Sequence, residues 1–97
     1  MLSMTWPQHR RRECQFRGRI VHFSPMEHVV LTSLLLRRGE VIGYGEMIEL
    51  MYPNPDEEPD WARSSLGAVI CRIRAKLPGA IYTIRATGFY IPVAIVT

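Results

Sequence analysis

Apolar residues recur with a helical period between residues 61 and 77. The intervals between them are four, three and four residues: Leu66, Ile70, Ile73 and Leu77. This spacing places the side chains on one face of an α-helix, where they form an apolar stripe. Pro78 and Gly79 follow the stripe directly, and both residue types end helices. We therefore predict a helix over residues 61–77 that packs this stripe into a core.

Two further helices are predicted upstream of this one. Ser24 can cap a helix, Pro25 suits the first helical position, and Glu27 has the spacing of a capping box. One face of this helix is apolar and carries Val30, Leu31, Leu34 and Leu35. Gly39 is its expected C-terminal stop. A shorter helix is predicted over residues 43–52, and residues 53–60 must be a loop because their prolines forbid a continuous helix.

Short alternating segments predict strands at both ends of the domain. Residues 14–23 contain two extended runs around Arg17-Gly18, and residues 80–93 contain two more around residues 86–88. A minimal strand is expected over residues 40–42. The predicted fold is therefore an α+β winged helix-turn-helix, with three helices, an N-terminal β-hairpin and a C-terminal β-hairpin wing.

The N-terminal residues 1–12 lack a regular period and contain three consecutive arginines. We predict a flexible basic tail there, followed by one winged-helix domain over residues 13–97. The tail could follow DNA phosphates or serve only as a solubilising arm. A chain of 97 residues that is 47% hydrophobic fits one globular domain.

Composition excludes several functional classes. No apolar run approaches the length of a membrane span, and the N-terminus lacks the order of a signal peptide. We expect a cytoplasmic protein that does not bind membranes. Cys14, Cys71 and the histidines lack metal-ligand spacing, so no metal and no cofactor are expected. Ser24 has the spacing of a helix cap rather than of a nucleophile, and we do not expect an enzyme.

Charge is segregated along the chain, although the net charge is only +3. Every charged residue from Glu40 to Asp60 is acidic. Every charged residue from Trp61 onward is basic: Arg63, Arg72, Arg74, Lys76 and Arg85. Such segregation gives a folded domain one face that suits phosphates. Ordinary solvated faces can produce the same pattern, so both interpretations stay open.

Several segments together resemble the winged-helix DNA-binding domain of OmpR/PhoB-type response regulators. Residues 23–27 (FSPME) match the Leu-Thr-Pro-x-Glu pattern of that family, and residues 39–42 (GEVI) match its Gly-x-Val-Val step. Residues 69–77 (VICRIRAKL) match its recognition helix, His-Ile-x-Arg-Leu-Arg-x-Lys-Leu. Residues 81–89 (IYTIRATGF) match its wing, Ile-x-Thr-Val-Arg-Gly-x-Gly-Tyr. The resemblance covers roughly residues 16–92.

The resemblance implies a DNA-binding transcriptional regulator. The third helix would enter the major groove and the wing, about residues 80–92, would reach the adjacent minor groove. The DNA-contacting residues would then be Arg63, Ser64, Ala68, Arg72, Arg74, Lys76, Thr83 and Arg85. Arginine suits these positions because its planar fork binds guanine or phosphate bidentately. The alternative is that Arg72 and Arg74 only flank the buried stripe and keep the helix soluble.

The chain also departs from the family pattern. Gly67 and Val69 replace an acidic and a basic base-reading residue, and Cys71 replaces a phosphate contact. The outward face of the helix is small: Ser64, Gly67, Ala68, Cys71 and Ala75. A small face lets a helix lie deep in a groove, but equally lets it pack against another protein.

A protein partner is therefore the alternative function. The loop equivalent to Asp56, Glu57 and Glu58 contacts RNA polymerase in the family, so this chain could be an interaction module for RNA polymerase or another regulator.

Trp61 is expected in the core or packed at the helix cap. The hairpin aromatics Tyr82, Phe89 and Tyr90 are expected to pack onto the helices. Residues 1–15 are too short for a receiver domain, so we expect a stand-alone or excised domain. It would act on double-stranded DNA as a monomer or a tandem dimer.

Overall fold

The first helix begins at the capping box that the sequence predicts. The computed structural model describes residues 4–96, and in it α1 spans Pro25–Leu36. Ser24 Oγ accepts a hydrogen bond of 3.2 Å from the Glu27 amide. Glu27 Oε1 accepts one of 3.1 Å from the Ser24 amide. These two bonds satisfy amide groups that the first helical turn would otherwise leave unpaired.

The other two helices also lie close to their predicted positions. α2 spans Tyr44–Met51 and α3 spans Ala62–Lys76. The proline-rich loop between them contains a short 3₁₀ turn at Pro55–Glu57. The three helices and Leu77, the residue that caps the end of α3, pack around one core, to which the helices contribute Val30, Leu31, Leu34, Leu35, Met47, Met51, Leu66, Val69, Ile70 and Ile73. The predicted stripe of α3 is confirmed, since all of its members are buried.

The strands form two small antiparallel sheets. β1 (Glu13–Phe16) pairs with β2 (Arg19–His22) in the N-terminal hairpin. β3 (Ile42–Gly43), β4 (Tyr82–Ile84) and β5 (Gly88–Tyr90) form the second sheet. Its strand order is β3-β5-β4, so the wing hairpin is joined to the strand between α1 and α2. The predicted α+β class with an N-terminal hairpin and a C-terminal wing is confirmed.

Gly88 makes the pairing of β3 with β5 possible. It lies opposite Gly43, and a Cβ built on Gly88 would stand only 2.0 Å from the backbone oxygen of Ile42. No side chain fits at that distance. The wing is therefore anchored to the helical body at a position where only glycine allows the backbones to approach.

The N-terminal segment requires a correction. Residues 4–12 do not form a tail separate from the domain, because Met4 is 1% exposed and pairs with both Phe16 and Val96. Its amide donates a 3.0 Å hydrogen bond to the Ile95 carbonyl. These isolated bridges join segments that are distant in sequence, and local periodicity does not reveal them. The remaining residues of the predicted tail, 1–3, lie outside the described part of the chain.

Candidate nucleic-acid interface

One side of α3 presents a strip of small side chains to solvent. The exposed positions are those predicted from the helical wheel: Ser64, Gly67, Ala68, Cys71 and Ala75. Val69, which stands where the family has a basic base-reading residue, is not part of this strip, because it is 1% exposed and packs in the core. At 3.6 residues per turn, Val69 lies beside Leu66 and Ile73 on the buried side. Val69 therefore cannot take the place of a base-reading residue.

Cations border the strip on both flanks. With about 100° between successive helical residues, Arg72 and Lys76 project from one flank of α3. Arg63 and Arg74 project from the opposite flank. The predicted DNA-contacting residues of the third helix are thus brought together around one exposed surface. Their internal contacts differ, however, and these contacts decide how freely each cation could meet a ligand.

Arg72 and Lys76 share one buried carboxylate. Arg72 Nε donates to Glu27 Oε2 at 3.1 Å, and Lys76 Nζ donates to Glu27 Oε1 at 2.5 Å. The Glu27 side chain is only 3% exposed, whereas those of Arg72 and Lys76 are 55% and 36% exposed. Within residues 4–96, the terminal nitrogens of Arg72 make no hydrogen bond, so the outer edge of its guanidinium stays open.

Glu27 is held in its charged form by these partners. Burial by itself raises the pKa of Glu27. The opposing effects are together larger and lower it: hydrogen bonds from Lys76 and the Ser24 backbone, the charge of Lys76, and a hydrogen bond from Arg72. The pKa therefore lies below the usual value of 4.5. The same carboxylate caps α1 and holds α3, which fixes the orientation of α3 against the start of α1.

The link between Glu27 and α3 is not evident from the sequence. The spacing of Glu27 after Ser24 indicates only a capping box, which is a local feature. Its bond to Arg72 joins residues 45 positions apart, and its bond to Lys76 spans 49 positions. The one indication in the sequence is that Glu27 is an acidic residue on a helix that otherwise buries an apolar face.

Arg74 connects α3 to the wing. Its Nη2 donates to the Ile81 carbonyl at 3.4 Å and to the hydroxyl of Thr83. Its guanidinium carbon lies 6.0 Å from the centre of the Phe89 ring. Arg74 and Thr83, which the resemblance assigns separately to DNA, are thus bound to each other across the junction of helix and wing.

Arg63 and Arg85 mark the two ends of the surface. Arg63 lies over the ring of Tyr44, with 4.8 Å between its guanidinium carbon and the ring centre. Arg85 is exposed in the turn between β4 and β5. In the described part of the chain, the side chain of Arg85 takes part in no hydrogen bond or ion pair. Of the predicted cationic side chains, that of Arg85 therefore has the fewest polar or aromatic partners within residues 4–96.

The acidic loop lies exposed ahead of α3. Asp56, Glu57 and Glu58 are all solvent-exposed, and Asn54 Oδ1 caps the short turn by accepting a 3.1 Å bond from the Asp56 amide. Trp61 follows them and is 68% exposed, so the prediction that it packs in the core or at the cap is wrong. Ala62 takes the buried position instead, with 4% exposure.

The aromatic residues of the wing are only partly buried. Phe89 is 5% exposed, as predicted, and its ring meets Tyr44 edge-on at 5.1 Å. Tyr82 is 46% exposed, which corrects the expectation that it packs onto the helices. It instead stacks on its cross-strand partner Tyr90, with 5.2 Å between ring centres. This pair stiffens the wing from its outer side.

Residues 4–96 contain neither a cluster of metal ligands nor a membrane-spanning helix. No three His, Cys, Asp or Glu side chains converge there as metal ligands. None of the helices in that range is both long and apolar enough to cross a bilayer. His28 is buried, and its pKa is lowered by burial and by the charges of His9 and Arg12.

Solved structures share this fold. The C-terminal domain of the nisin resistance regulator NsrR, a lantibiotic response regulator, is similar with a TM-score of 0.72 and 24% identity, over 84% of this chain and 85% of that one. The C-terminal DNA-binding domain of RstA from Klebsiella pneumoniae has a TM-score of 0.75 and 21% identity, over 95% of this chain and 86% of that one. The RstA DNA-binding domain in complex with the RstA box has a TM-score of 0.72 and 20% identity, over 90% of this chain and 89% of that one.

These neighbours define the fold class. The chain has the winged-helix fold of the DNA-binding domains of OmpR/PhoB-type response regulators, which confirms the predicted structural resemblance. No protein-family model matches the sequence, and the comparison with curated proteins gives no significant match.

Proposed function

We propose that this protein binds double-stranded DNA and regulates transcription. In this proposal α3 occupies the major groove and the wing, residues 80–92, meets the adjacent minor groove. The observation that carries it is the exposed strip of small residues on α3 with cations along both flanks. A helix in the major groove faces a phosphate strand on each side, so cations on both flanks match that geometry.

The small strip would allow close approach to base edges. Ser64 can exchange hydrogen bonds with any base, and Ala68 can contact a thymine methyl group. Neither side chain would hold the helix backbone away from the groove floor. Arg72 and Lys76 would contact one strand with the groups that Glu27 leaves open, and Arg63 and Arg74 would contact the other.

The wing supplies the second contact. Arg85 projects from its tip, and an arginine there suits the negative potential of a narrow minor groove. The bond between Arg74 and Thr83 would hold the wing at a fixed angle to α3. Support comes from the RstA domain, which shares this fold and whose structure is known in complex with the RstA box.

Arg85→Ala tests the proposal most cleanly, because within residues 4–96 the side chain of Arg85 makes no hydrogen bond or ion pair that the substitution would break. We expect roughly tenfold weaker binding to a random 20-base-pair duplex in about 0.1 M salt, the effect of one lost phosphate contact. Arg37→Ala is the matched control. Arg37 is not one of the predicted DNA-contacting residues, and its side chain pairs with Glu40 and Glu46, so its loss should leave affinity near that of the wild type.

An amide-shift titration with the same duplex would locate the interface. We expect shifts clustered on residues 63–76 and 83–88 that fade as salt rises. The protein-to-DNA ratio at saturation would distinguish a monomer from a tandem dimer. A wild-type protein that gives no shifts at low salt would refute the proposal.

One observation favours a second candidate function. Trp61 is exposed beside the acidic loop, and exposed tryptophans are enriched in protein interfaces. The alternative is a module that binds RNA polymerase or another regulator through residues 56–61, with little DNA affinity. Purified RNA polymerase that binds the wild type but not Trp61→Ala, with binding insensitive to Arg85→Ala, would support this alternative.

A further inference from the structure

The N-terminal hairpin places further cations beside α3. Arg19 is exposed and lies opposite Phe16 in the register of β1 and β2. Side chains at paired positions project from the same face of a hairpin. Phe16 is 1% exposed, so Arg19 projects from the face that packs on the core, but at its outer edge.

That edge borders the C-terminal end of α3. Arg19 and His22 line one open groove together with Ala75 and Lys76. Ala75 belongs to the exposed strip of α3, and Lys76 belongs to the flank that carries Arg72. The hairpin therefore continues that flank, on the side of α3 opposite the wing.

Within residues 4–96, no carboxylate pairs with Arg19. Glu27 is already bound to Arg72 and Lys76. Glu13 lies on the outer face of the hairpin, where it pairs with His22 at 3.2 Å and with Arg11 at 3.9 Å. Within residues 4–96, the side chain of Arg19 makes no hydrogen bond or ion pair. The neighbouring cluster of Arg72, Lys76 and Glu27 keeps a net positive charge, so Arg19 and this cluster repel each other, and an external anion would relieve that repulsion.

The turn of the hairpin gives an independent indication. Arg17 and Gly18 have φ values of +50° and +78°, as the two central residues of a type I′ turn require. Asparagine or glycine is the favoured residue at the first of these positions, and arginine is uncommon there. Arg17 thus places a cation at the hairpin tip in spite of the backbone conformation.

We propose that the tip of this hairpin, through Arg17 and Arg19, binds phosphates of the DNA strand opposite to the one met by the wing. This inference rests on the proposed DNA-binding function and enlarges its footprint. Lys76 and Arg19 would form a continuous basic edge along that strand. The contact would add affinity without base specificity, because it reaches only the backbone.

The test is the salt dependence of binding to a random 20-base-pair duplex, measured by fluorescence anisotropy between about 50 and 200 mM salt. Arg17→Asn is a favourable variant, because asparagine suits the turn while the charge is lost. The slope of log K against log salt is negative, and we expect Arg17→Asn and Arg19→Ala each to make it less steep by about 0.9, and the double variant by about twice that. Each single variant should bind roughly tenfold more weakly at 0.1 M salt.

Arg37→Ala again controls for the loss of one charge elsewhere, and far-ultraviolet circular dichroism checks that each variant is folded. If both hairpin variants keep the wild-type slope while Arg85→Ala makes it less steep, the hairpin inference is wrong and the proposed function stands. If the wild type binds no duplex, the proposed function fails and the inference fails with it.

Discussion

Glu27 offers the sharpest test of how this domain is held together. The carboxylate is almost fully buried and accepts hydrogen bonds from Arg72 at 3.1 Å and Lys76 at 2.5 Å. Glu27→Gln keeps the size of the side chain and removes its charge. The variant therefore tests the ion pairs with little change in packing.

The expected loss of stability follows from the exposure of the partners. A hydrogen bond to a charged group contributes about 1.5–3 kcal/mol, and removing one partner of a fully buried pair costs about 3–5 kcal/mol. Here both cations are partly in water and can recover hydration. We therefore expect the free energy of unfolding to fall by about 2 kcal/mol. For a domain of this size that lowers Tm by roughly 8–16 °C.

The effect should depend on pH in a defined direction. The pKa of Glu27 in the folded protein lies below its usual value of 4.5, so the folded state favours the charged form. This contribution to stability is fully present above pH 4.5 and is lost as pH falls through the lower folded-state pKa. The difference between wild type and Glu27→Gln should be constant near neutral pH and shrink in acid.

Chemical denaturation at several pH values, followed by circular dichroism, measures both effects. Glu49→Gln is the matched control because Glu49 is exposed on α2 and makes no hydrogen bond or ion pair within residues 4–96. If Glu27→Gln were as stable as Glu49→Gln at pH 7, the carboxylate would not link α1 to α3 in solution. A difference that grows in acid would refute the assigned direction of the pKa shift.

Three further predictions concern two glycines and the two cysteines. Gly88→Ala should lower stability by at least about 2 kcal/mol, because its Cβ would stand 2.0 Å from the Ile42 oxygen. Gly67→Ala should raise stability by up to about 1 kcal/mol, because it removes a helical glycine and its Cβ meets no atom within 4 Å. The Tm of each variant in thermal unfolding, compared with that of the wild type, tests both predictions. Native protein at pH 8 should react with a thiol reagent at exposed Cys71 only, because Cys14 is buried and burial raises its pKa to about 11. Rapid reaction of both cysteines before unfolding would contradict the position of β1.

The sequence was informative where structure depends on local pattern. The stripe of α3, the capping box at Ser24 and the turn at Arg17-Gly18 each depend on neighbours a few residues away, and all were predicted correctly. The fold class followed from the order of these elements.

The failures share a physical cause, which is contact between distant segments. Met4 is buried because its backbone pairs with Phe16 and Val96, and nothing in residues 1–12 encodes that pairing. Trp61 is exposed because Ala62 takes the buried position at the start of α3. The anchoring of Arg72 by Glu27 likewise depends on how α1 and α3 pack. The exposed face of α3 could therefore be predicted from sequence, but the contacts around it could not.

The contacts of Glu27 with Arg72 and Lys76 predict that Glu27→Gln, which lowers stability, raises the affinity for DNA. Arg72 and Lys76 carry two positive charges and Glu27 carries one negative charge, so the cluster has a net charge of +1 (2 − 1 = +1). Glu27→Gln raises this to +2, and the folded variant should bind a random duplex more tightly at low salt although it is less stable. Glu49→Gln changes the total charge equally and should have a smaller effect, because Glu49 is on α2. Weaker binding by folded Glu27→Gln would mean that the carboxylate assists DNA binding by orienting Arg72, rather than reducing affinity through its charge.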